Sequence, residues 1–152
     1  MKGPMVTISR AHAGLVKRLF ELEIPEVADG TIEIKSITRE AGSRTKIAVW
    51  SNDKNVEAVG SCIGPRGSRI SGILAELGGE KIDVIQYSES AEEFIKAALS
   101  PATVKGVELD GEKSCKVYVD ADQLSLAIGK EGQNARMAVR LSGYRIDIKV
   151  QE

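Results

Sequence analysis

The chain has 152 residues, 42% of them hydrophobic, and its 21 lysines and arginines nearly balance its 22 aspartates and glutamates. This composition is typical of a folded protein with one medium or two small domains. No stretch without a charged residue exceeds eight residues, far short of the roughly 20 apolar residues that span a bilayer. The first ten residues contain no apolar signal-peptide core. We therefore expect a cytoplasmic protein with no membrane partner.

The residues that most often carry catalysis or bind metals are few and scattered. Cys62 and Cys115 stand in a predicted helix and a predicted strand, without metal-ligand spacing, and we expect both to be small buried side chains in a reducing compartment. His12 stands at a predicted helix start, where a capping or solvated role is the default. Because the sequence has no P-loop and no nucleophile–base pair, we predict that the protein is not an enzyme and holds no cofactor or metal.

The first half of the chain predicts the element order α-β-β-α-turn-α-β from its hydrophobic periodicity and turn residues. Residues 1–10 precede this unit and fit neither repeat. The predicted elements are a helix over 11–23, strands over 31–40 and 44–51, a helix over 53–63, a glycine turn, a helix over 68–77 and a strand over 81–87.

The second half predicts the same order again. Its first helix opens with the capping box SAEE, Ser90–Glu93. The predicted elements are a helix from 90 to about 99, strands over 103–109 and 114–119, helices over 121–128 and 133–142, and a strand over 144–150. Because only about three residues join the two halves, we expect them to pack together as a rigid tandem.

Two short segments of the sequence repeat each other. They read IGPRGSRI (Ile63–Ile70) and IGKEGQNA (Ile128–Ala135), and they contain the only two Gly-x-x-Gly pairs in the chain. Each pair joins two predicted helices and precedes a strand that begins with glycine, any residue, a basic residue and Ile-Asp. One such pair alone is weak evidence, but the shared context is specific. We therefore predict an α+β fold in which one unit is present twice.

A glycine turn that leads into a helix suits an anion. The N-terminus of a helix offers unpaired N–H groups and a partial positive charge. Glycines lack Cβ, so an extended phosphate backbone can approach the turn closely. For a single copy the plain structural explanation, a glycine that ends one helix before the next begins, stays open. Two copies in the same frame favour a binding role.

This frame resembles the K-homology (KH) domain in its bacterial, or type II, order. The resemblance implies a three-stranded sheet in each unit and a Gly-x-x-Gly loop that clamps about four nucleotides of single-stranded RNA, with bases on aliphatic side chains. The RNA-binding residues that it implies are Ile63, Gly64, Pro65, Arg66, Gly67, Arg69 and Ile70 in the first unit and Ile128, Gly129, Lys130, Glu131, Gly132, Gln133, Asn134, Arg136 and Arg140 in the second. Ala135 would border the second groove.

Some of these side chains have a second interpretation. Pro65 lacks an N–H donor and Glu131 is negative, so we expect both to weaken an anion site. Arg136 and Arg140 lie four apart on one helical face, which could track a phosphate strand or simply be solvated. Arg39, Arg44 and Lys46 flank the first hairpin, and for these we favour a solvated face.

Longer stretches resemble the tandem KH region of the NusA family of bacterial transcription termination and antitermination factors. They are SRAHAGLVKRLFELEIPE, VGSCIGPRGSRI, GEKIDVIQYS and LSLAIGKEGQNARMAVRLSGYRIDIK. The resemblance implies a piece of a longer protein, in which residues 1–10 are the stump of an upstream OB-type domain, 11–88 the first KH domain and 89–152 the second. The alternative is a short natural protein with only two KH units.

The same resemblance implies a function and its partners. We expect a monomer that binds single-stranded nascent RNA and works with RNA polymerase and other antitermination factors. The alternative is a protein-interaction scaffold that contacts polymerase or another factor and binds RNA weakly or not at all.

Overall fold

The computed structural model describes residues 13–151. The predicted N-terminal segment 1–10 and His12 lie outside the described residues. The chain divides into two compact units between Gln86 and Tyr87. Each unit is α+β and contains one three-stranded sheet, which confirms the predicted fold class.

The elements of the first unit follow the predicted order with two differences. They are helices α1 (Ala13–Glu23) and α2 (Pro25–Ala28), strands β1 (Ile32–Glu40) and β2 (Arg44–Ser51), helix α3 (Ala58–Ile63), a 3₁₀ turn (Pro65–Gly67), helix α4 (Ser68–Leu77) and strand β3 (Lys81–Gln86). Helix α2 was not predicted, because four residues are too few to show a helical period.

The second difference is the late start of α3, which was predicted from residue 53. A tight turn occupies the preceding residues: the backbone N–H of Asp53 donates to the Ser51 hydroxyl at 3.1 Å, and the N–H of Asn55 donates to the Asp53 carboxylate at 2.9 Å. Such side-chain-to-backbone bonds offer the backbone an alternative to the helix. The helix therefore begins only at Ala58.

The second unit repeats the order. Its elements are helix α5 (Ala91–Ala98), strands β4 (Gly106–Gly111) and β5 (Ser114–Val119), a 3₁₀ turn (Ala121–Gln123), helix α6 (Leu124–Ile128), a 3₁₀ turn (Lys130–Gly132), helix α7 (Gln133–Ser142) and strand β6 (Arg145–Val150). Ser90 caps α5, since its hydroxyl accepts the N–H of Glu93 at 3.4 Å. The strand predicted from residue 103 begins at Gly106.

Both sheets have the same topology. The middle strand, β2 or β5, pairs antiparallel with the strand before it and parallel with the last strand of its unit. The registers correspond as well, since Thr45 pairs with Ile82 and Cys115 pairs with Ile146. Positions in one unit can therefore be matched to positions in the other.

Each sheet has one face covered by helices of its own unit. The first core contains Phe20 and Ile24, which pack with Ile47 and Val49 of β2. In the second unit the buried apolar residues are Phe94, Ile95, Ala98, Leu99, Ala102, Cys115, Val117, Val119, Ala127, Met137, Ala138 and Leu141. No helix among residues 13–151 is long and apolar enough to cross a bilayer.

The cysteines confirm the prediction of buried structural thiols. Cys62 is fully buried and Cys115 is 2% exposed, and neither forms a disulfide. Burial raises the pKa of each thiol to about 11, so the reactive thiolate is scarce near neutral pH.

Candidate nucleic-acid interface

The two Gly-x-x-Gly loops have the same backbone. The first glycine has φ 79° and ψ 170° at Gly64, and φ 81° and ψ 168° at Gly129. In each loop the N–H of the second glycine donates to the carbonyl of the first at 3.0 Å. Because the side chains between the glycines differ completely, Pro-Arg against Lys-Glu, the shared feature is the backbone geometry.

Each loop holds one non-glycine residue in the left-handed region. Arg66 has φ 54° and Glu131 has φ 56°, a conformation that costs roughly 1–2 kcal/mol for an L-residue. Successive N–H groups around a left-handed residue in a turn form a concave anion site. The strained residue therefore shapes each loop as a concavity, although Pro65 removes one donor from the first.

The first glycine of each loop is required by close packing as well as by φ. A Cβ at Gly64 would lie 2.8 Å from Cγ and 3.0 Å from the backbone N of Arg69. A Cβ at Gly129 would lie 2.6 Å from the backbone N of Asn134. The loops are thus folded tightly onto the first turns of α4 and α7, where a side chain has no room.

Arg69 fastens the first loop to its surroundings. Its Nη1 donates to the carbonyl of Ser61 in α3 at 2.8 Å and to Oε1 of Glu26 at 2.8 Å. The ion pair is half-buried. The predicted RNA contact of Arg69 stays a prediction, and its guanidinium already joins α3, α4 and α2.

Asn134 occupies the matching position, five residues after the first glycine. It also joins its loop to the preceding helix, but through an amide instead of a guanidinium. It is 4% exposed, and its Nδ2 donates at 3.0 Å to the carbonyls of Ala127 and Leu99. Its Oδ1 is buried without a hydrogen-bond partner among the described residues. Its predicted RNA contact likewise stays a prediction.

The remaining predicted RNA-binding residues surround the loops. The exposed ones are Pro65, Arg66, Ile128, Lys130, Glu131, Arg136 and Arg140, and the half-buried ones are Ile63, Gly64, Gly67, Ile70, Gly129, Gly132 and Gln133. Ala135 is half-buried too. Arg136 leans toward its loop, since its Nη1 donates to the carbonyl of Glu131 at 3.1 Å.

Two features near the loops escaped the sequence prediction. Leu126 is 45% exposed, close to Ile128 at 38%, and both lie in the helix that enters the second loop. Beside the first loop an open cavity of about 460 Å³ is lined by Glu26 and Glu57 as well as by Gly64. The position of Glu26 beside the loop could not be predicted from a local motif, because Glu26 lies far upstream in the sequence. The exposure of Leu126 could not be predicted either, because it depends on how the helices pack.

The basic residues of the first hairpin are not a solvated face, which corrects that interpretation. Lys46 is fully buried and its Nζ lies 2.9 Å from Oδ2 of Asp83, while Arg44 reaches the same oxygen at 2.7 Å. Burial lowers the pKa of Lys46, and Asp83 opposes that shift. Arg39 pairs with Glu80 at 2.9 Å, and both side chains are at most 6% exposed. These cations are therefore committed to internal ion pairs.

Two units of this element order and sheet topology, each with a Gly-x-x-Gly turn between helices, define a tandem KH protein. The family model described as the NusA-like first KH domain matches residues 10–87, and that of the NusA-like second KH domain matches residues 91–152. The chain belongs to the NusA-like KH family.

Individual relatives agree with that assignment. The chain is 55% identical to the transcription termination/antitermination protein NusA of Halalkalibacterium halodurans, 54% to that of Bacillus subtilis and 51% to that of Thermus thermophilus. The matches cover 97–99% of this chain but only 39–40% of those proteins. The crystal structure of APE1850 shares the fold, with a TM-score of 0.61 at 22% identity over 88% of this chain and 95% of that one.

Proposed function

We propose that the chain binds single-stranded nascent RNA through both Gly-x-x-Gly loops. The observation that carries this proposal is the loop backbone, which is built twice with glycine dihedrals that agree within a few degrees around unrelated side chains. Each copy also contains a strained non-glycine residue. A turn that served only to connect two helices would not need the same strained geometry in both units.

The geometry suits a phosphate backbone. Gly67 and Gly132 have room where a Cβ would stand, so a strand can lie against the loop there. The following helices, α4 and α7, direct their N-termini toward it. Arg66 and Lys130 stand exposed between the glycines, where each supplies a cation. The exposed aliphatic pair Leu126 and Ile128 then offers bases an apolar surface beside the second loop.

Arg69 and Asn134 act as positioning residues in this proposal. Their hydrogen bonds join each loop to the helix before it, so the loop keeps its concave shape when the ligand is absent. Preorganisation of this kind reduces the entropy cost of binding.

The role of the whole protein is likewise a proposal, because this chain spans about two fifths of its relatives. We propose that it serves transcription termination and antitermination, acts as a monomer and works beside RNA polymerase. Contact with polymerase is the alternative use of the same surfaces.

The test is fluorescence anisotropy with single-stranded RNA across a salt series. The variants are Pro65→Asp/Arg66→Asp, which changes the net charge by −3, and Lys130→Asp/Glu131→Asp, which changes it by −2. Asp tolerates the left-handed region that Arg66 and Glu131 occupy, so the turns survive. Each pair should weaken binding and reduce the slope of log K against log salt by roughly 0.7 for each phosphate that the loop no longer binds.

Charge-matched controls separate the loops from general electrostatics. Lys54→Asp/Asn55→Asp in the first unit changes the charge by −3 and Lys96→Asp in the second by −2, at positions outside the loops. Circular dichroism checks that every variant folds. If the loop pairs bind RNA as the wild type does, or if the wild type binds none, the scaffold function replaces this proposal.

A further inference from the structure

Each unit has a corner where the tip of its hairpin meets the start of its last strand. The same backbone hydrogen bond closes both corners: the N–H of Lys81 donates to the carbonyl of Ser43 at 3.0 Å, and the N–H of Arg145 donates to that of Lys113 at 2.8 Å. Arg44 pairs with Lys81 as Ser114 pairs with Arg145. The two corners can therefore be compared position by position.

The first corner is closed by a buried carboxylate. Glu80 is 1% exposed and accepts hydrogen bonds from Arg39 through both oxygens at 2.9–3.2 Å. It also accepts the N–H of Gly42 at 3.0 Å and the hydroxyl of Thr45 at 2.5 Å. The carboxylate of Glu80 and the guanidinium of Arg39 are therefore used internally. Lys81, the counterpart of Arg145, is exposed, and an open cavity of about 420 Å³ lies beside it, so the difference between the corners lies in Glu80 and Arg39.

The second corner lacks all parts of this cluster. The strand registers place Tyr144 where the first unit has Glu80, Leu109 where it has Arg39, and Lys113 where it has Ser43. An open cavity of about 670 Å³ lies there. The Nζ of Lys113 stands 4.9 Å from the centroid of the Tyr144 ring, a cation–π distance.

The charge of this cavity is positive. Lys113, Arg140 and Arg145 line it, against the single carboxylate of Glu112. Among residues 13–151 neither Lys113 nor Arg145 forms an ion pair with a carboxylate. In the first unit, by contrast, the cations of the hairpin form ion pairs with Glu80 and Asp83.

The cavity also continues the proposed RNA site. Helix α7 begins at the second glycine loop and ends at Ser142, beside the cavity, about 15 Å away at 1.5 Å per residue. Arg136 and Arg140 are exposed and lie one turn apart on this helix. Basic side chains thus follow α7 from Lys130 to the cavity.

We propose that this basic corner is a second contact for the same single-stranded RNA. Lys113 and Arg145 bind phosphates of the strand that leaves the loop along α7, and the Tyr144 ring stacks on a base. Aromatic rings beside cations along a groove are the usual means of holding single strands without sequence preference. This inference rests on the proposed function, because it extends the path of the RNA.

The experiment compares two RNA lengths on the full chain. A four-nucleotide RNA occupies about one loop, whereas one of roughly ten nucleotides can extend beyond it. The variant Lys113→Gln/Arg145→Gln should weaken binding of the longer RNA several-fold and lower its salt slope by about 1.4, or 0.7 for each of two phosphates. Binding of the short RNA should not change. The control Lys96→Gln/Lys105→Gln makes the same charge change elsewhere in the second unit.

The outcomes distinguish this proposal from the one on which it rests. If the corner variant binds long RNA as the wild type does while the loop variants lose affinity, the corner proposal is wrong and the loop function stands. Equal losses for the corner and control pairs, or equal losses for short and long RNA, also overturn it. If the wild type binds neither RNA, both proposals fail, and an acidic protein segment becomes the candidate for the corner.

Discussion

The two units have nearly identical loops and very different corners. The glycine dihedrals of Gly64 and Gly129 agree within a few degrees, whereas Glu80 and Tyr144 place opposite chemistry at matching positions beside the last strand. The loops therefore keep the same backbone conformation although the side chains between their glycines differ. The corners keep no such common feature among their side chains, and each unit has different residues there.

The first unit uses charge for internal stability where the second exposes it. Asp83 pairs with both Arg44 and Lys46. Its counterpart Asp147 is exposed and, within residues 13–151, forms its ion pair with Lys149, two positions away. The comparison teaches that the number of basic residues in a unit does not determine its binding surface. What matters is whether a carboxylate of the same unit already neutralises them.

The largest effect that we predict is the loss of the Glu80 cluster. Glu80→Ala leaves the buried Arg39 without its partner, which should lower the free energy of unfolding of the first unit by about 3–5 kcal/mol. Trp50 is the only tryptophan, so its fluorescence during denaturation reports on this unit. The control Lys81→Ala, at an exposed neighbour, should stay within about 0.5 kcal/mol. A small loss in Glu80→Ala would contradict the structural role of the cluster.

Acid should weaken the same cluster. Burial raises the pKa of the Glu80 carboxyl, but hydrogen bonds from Arg39, Thr45 and Gly42 outweigh it and leave the pKa below its ordinary value. The stabilisation is therefore complete above the unfolded-state pKa of about 4.3 and is lost as the pH falls toward the folded-state pKa. Denaturation followed by Trp50 from about pH 6 to about pH 3 should show this loss, and Glu80→Gln should reduce it.

The next largest effect that we predict is a difference in stability cost between substitutions of the two glycines of the second loop. Gly129→Ala should destabilise the second unit by about 2–3 kcal/mol, because its backbone region is nearly exclusive to glycine and the new Cβ would overlap the N of Asn134. Gly132→Ala should cost about 1–2 kcal/mol, because only its left-handed φ opposes the side chain. Alkylation of Cys115 in mild denaturant measures both, since that thiol is exposed only when the unit opens. Equal costs would show that the close approach does not matter.

The substitution of Asn134 should cost more stability than the substitution of Arg69, its counterpart in the first unit. Asn134→Ala deprives the carbonyls of Ala127 and Leu99 of their buried donor, which should cost about 1–3 kcal/mol. Arg69→Ala breaks a half-exposed ion pair and one bond to Ser61, which should cost no more than about 1 kcal/mol. Alkylation of Cys115 and of Cys62 reports on the respective units. A larger loss for Arg69→Ala would reverse the ranking.

The smallest effect should come from the open corner. Tyr144→Leu removes the cation–π contact with Lys113, which contributes about 0.5–1 kcal/mol at exposed sites, and retains an apolar side chain. Alkylation of Cys115 again gives the change in stability. A loss as large as that of Glu80→Ala would mean that Tyr144 supports the fold as Glu80 does, and the comparison between the corners would fail.

Most of the architecture could be predicted from local patterns. The repeat, the strand alternation and the glycine turns predicted every described helix and strand except α2, and α4 and α7 have the predicted bounds. The late start of α3 lies where side chains compete with helical hydrogen bonds, as at Ser51 and Asp53. Such competition involves single bonds and leaves no periodic signal. The other errors concern element ends: the strand predicted from residue 103 begins at Gly106, and the helix predicted over 121–128 begins as a 3₁₀ turn over Ala121–Gln123.

The sequence by itself determined the fold class, the repeat and the position of both loops, because glycine spacing and hydrophobic period act over short distances along the chain. Only the tertiary structure decided which charges are available. Arg69 meets Glu26, and Arg39 meets Glu80, through contacts between residues more than 40 positions apart. Tyr144 stands where the first unit has the carboxylate of Glu80, and among the described residues the Nζ of Lys113 lies over the Tyr144 ring. Whether a basic side chain is available to a ligand depends on which residues lie beside it in the folded chain. A local sequence pattern does not contain that information.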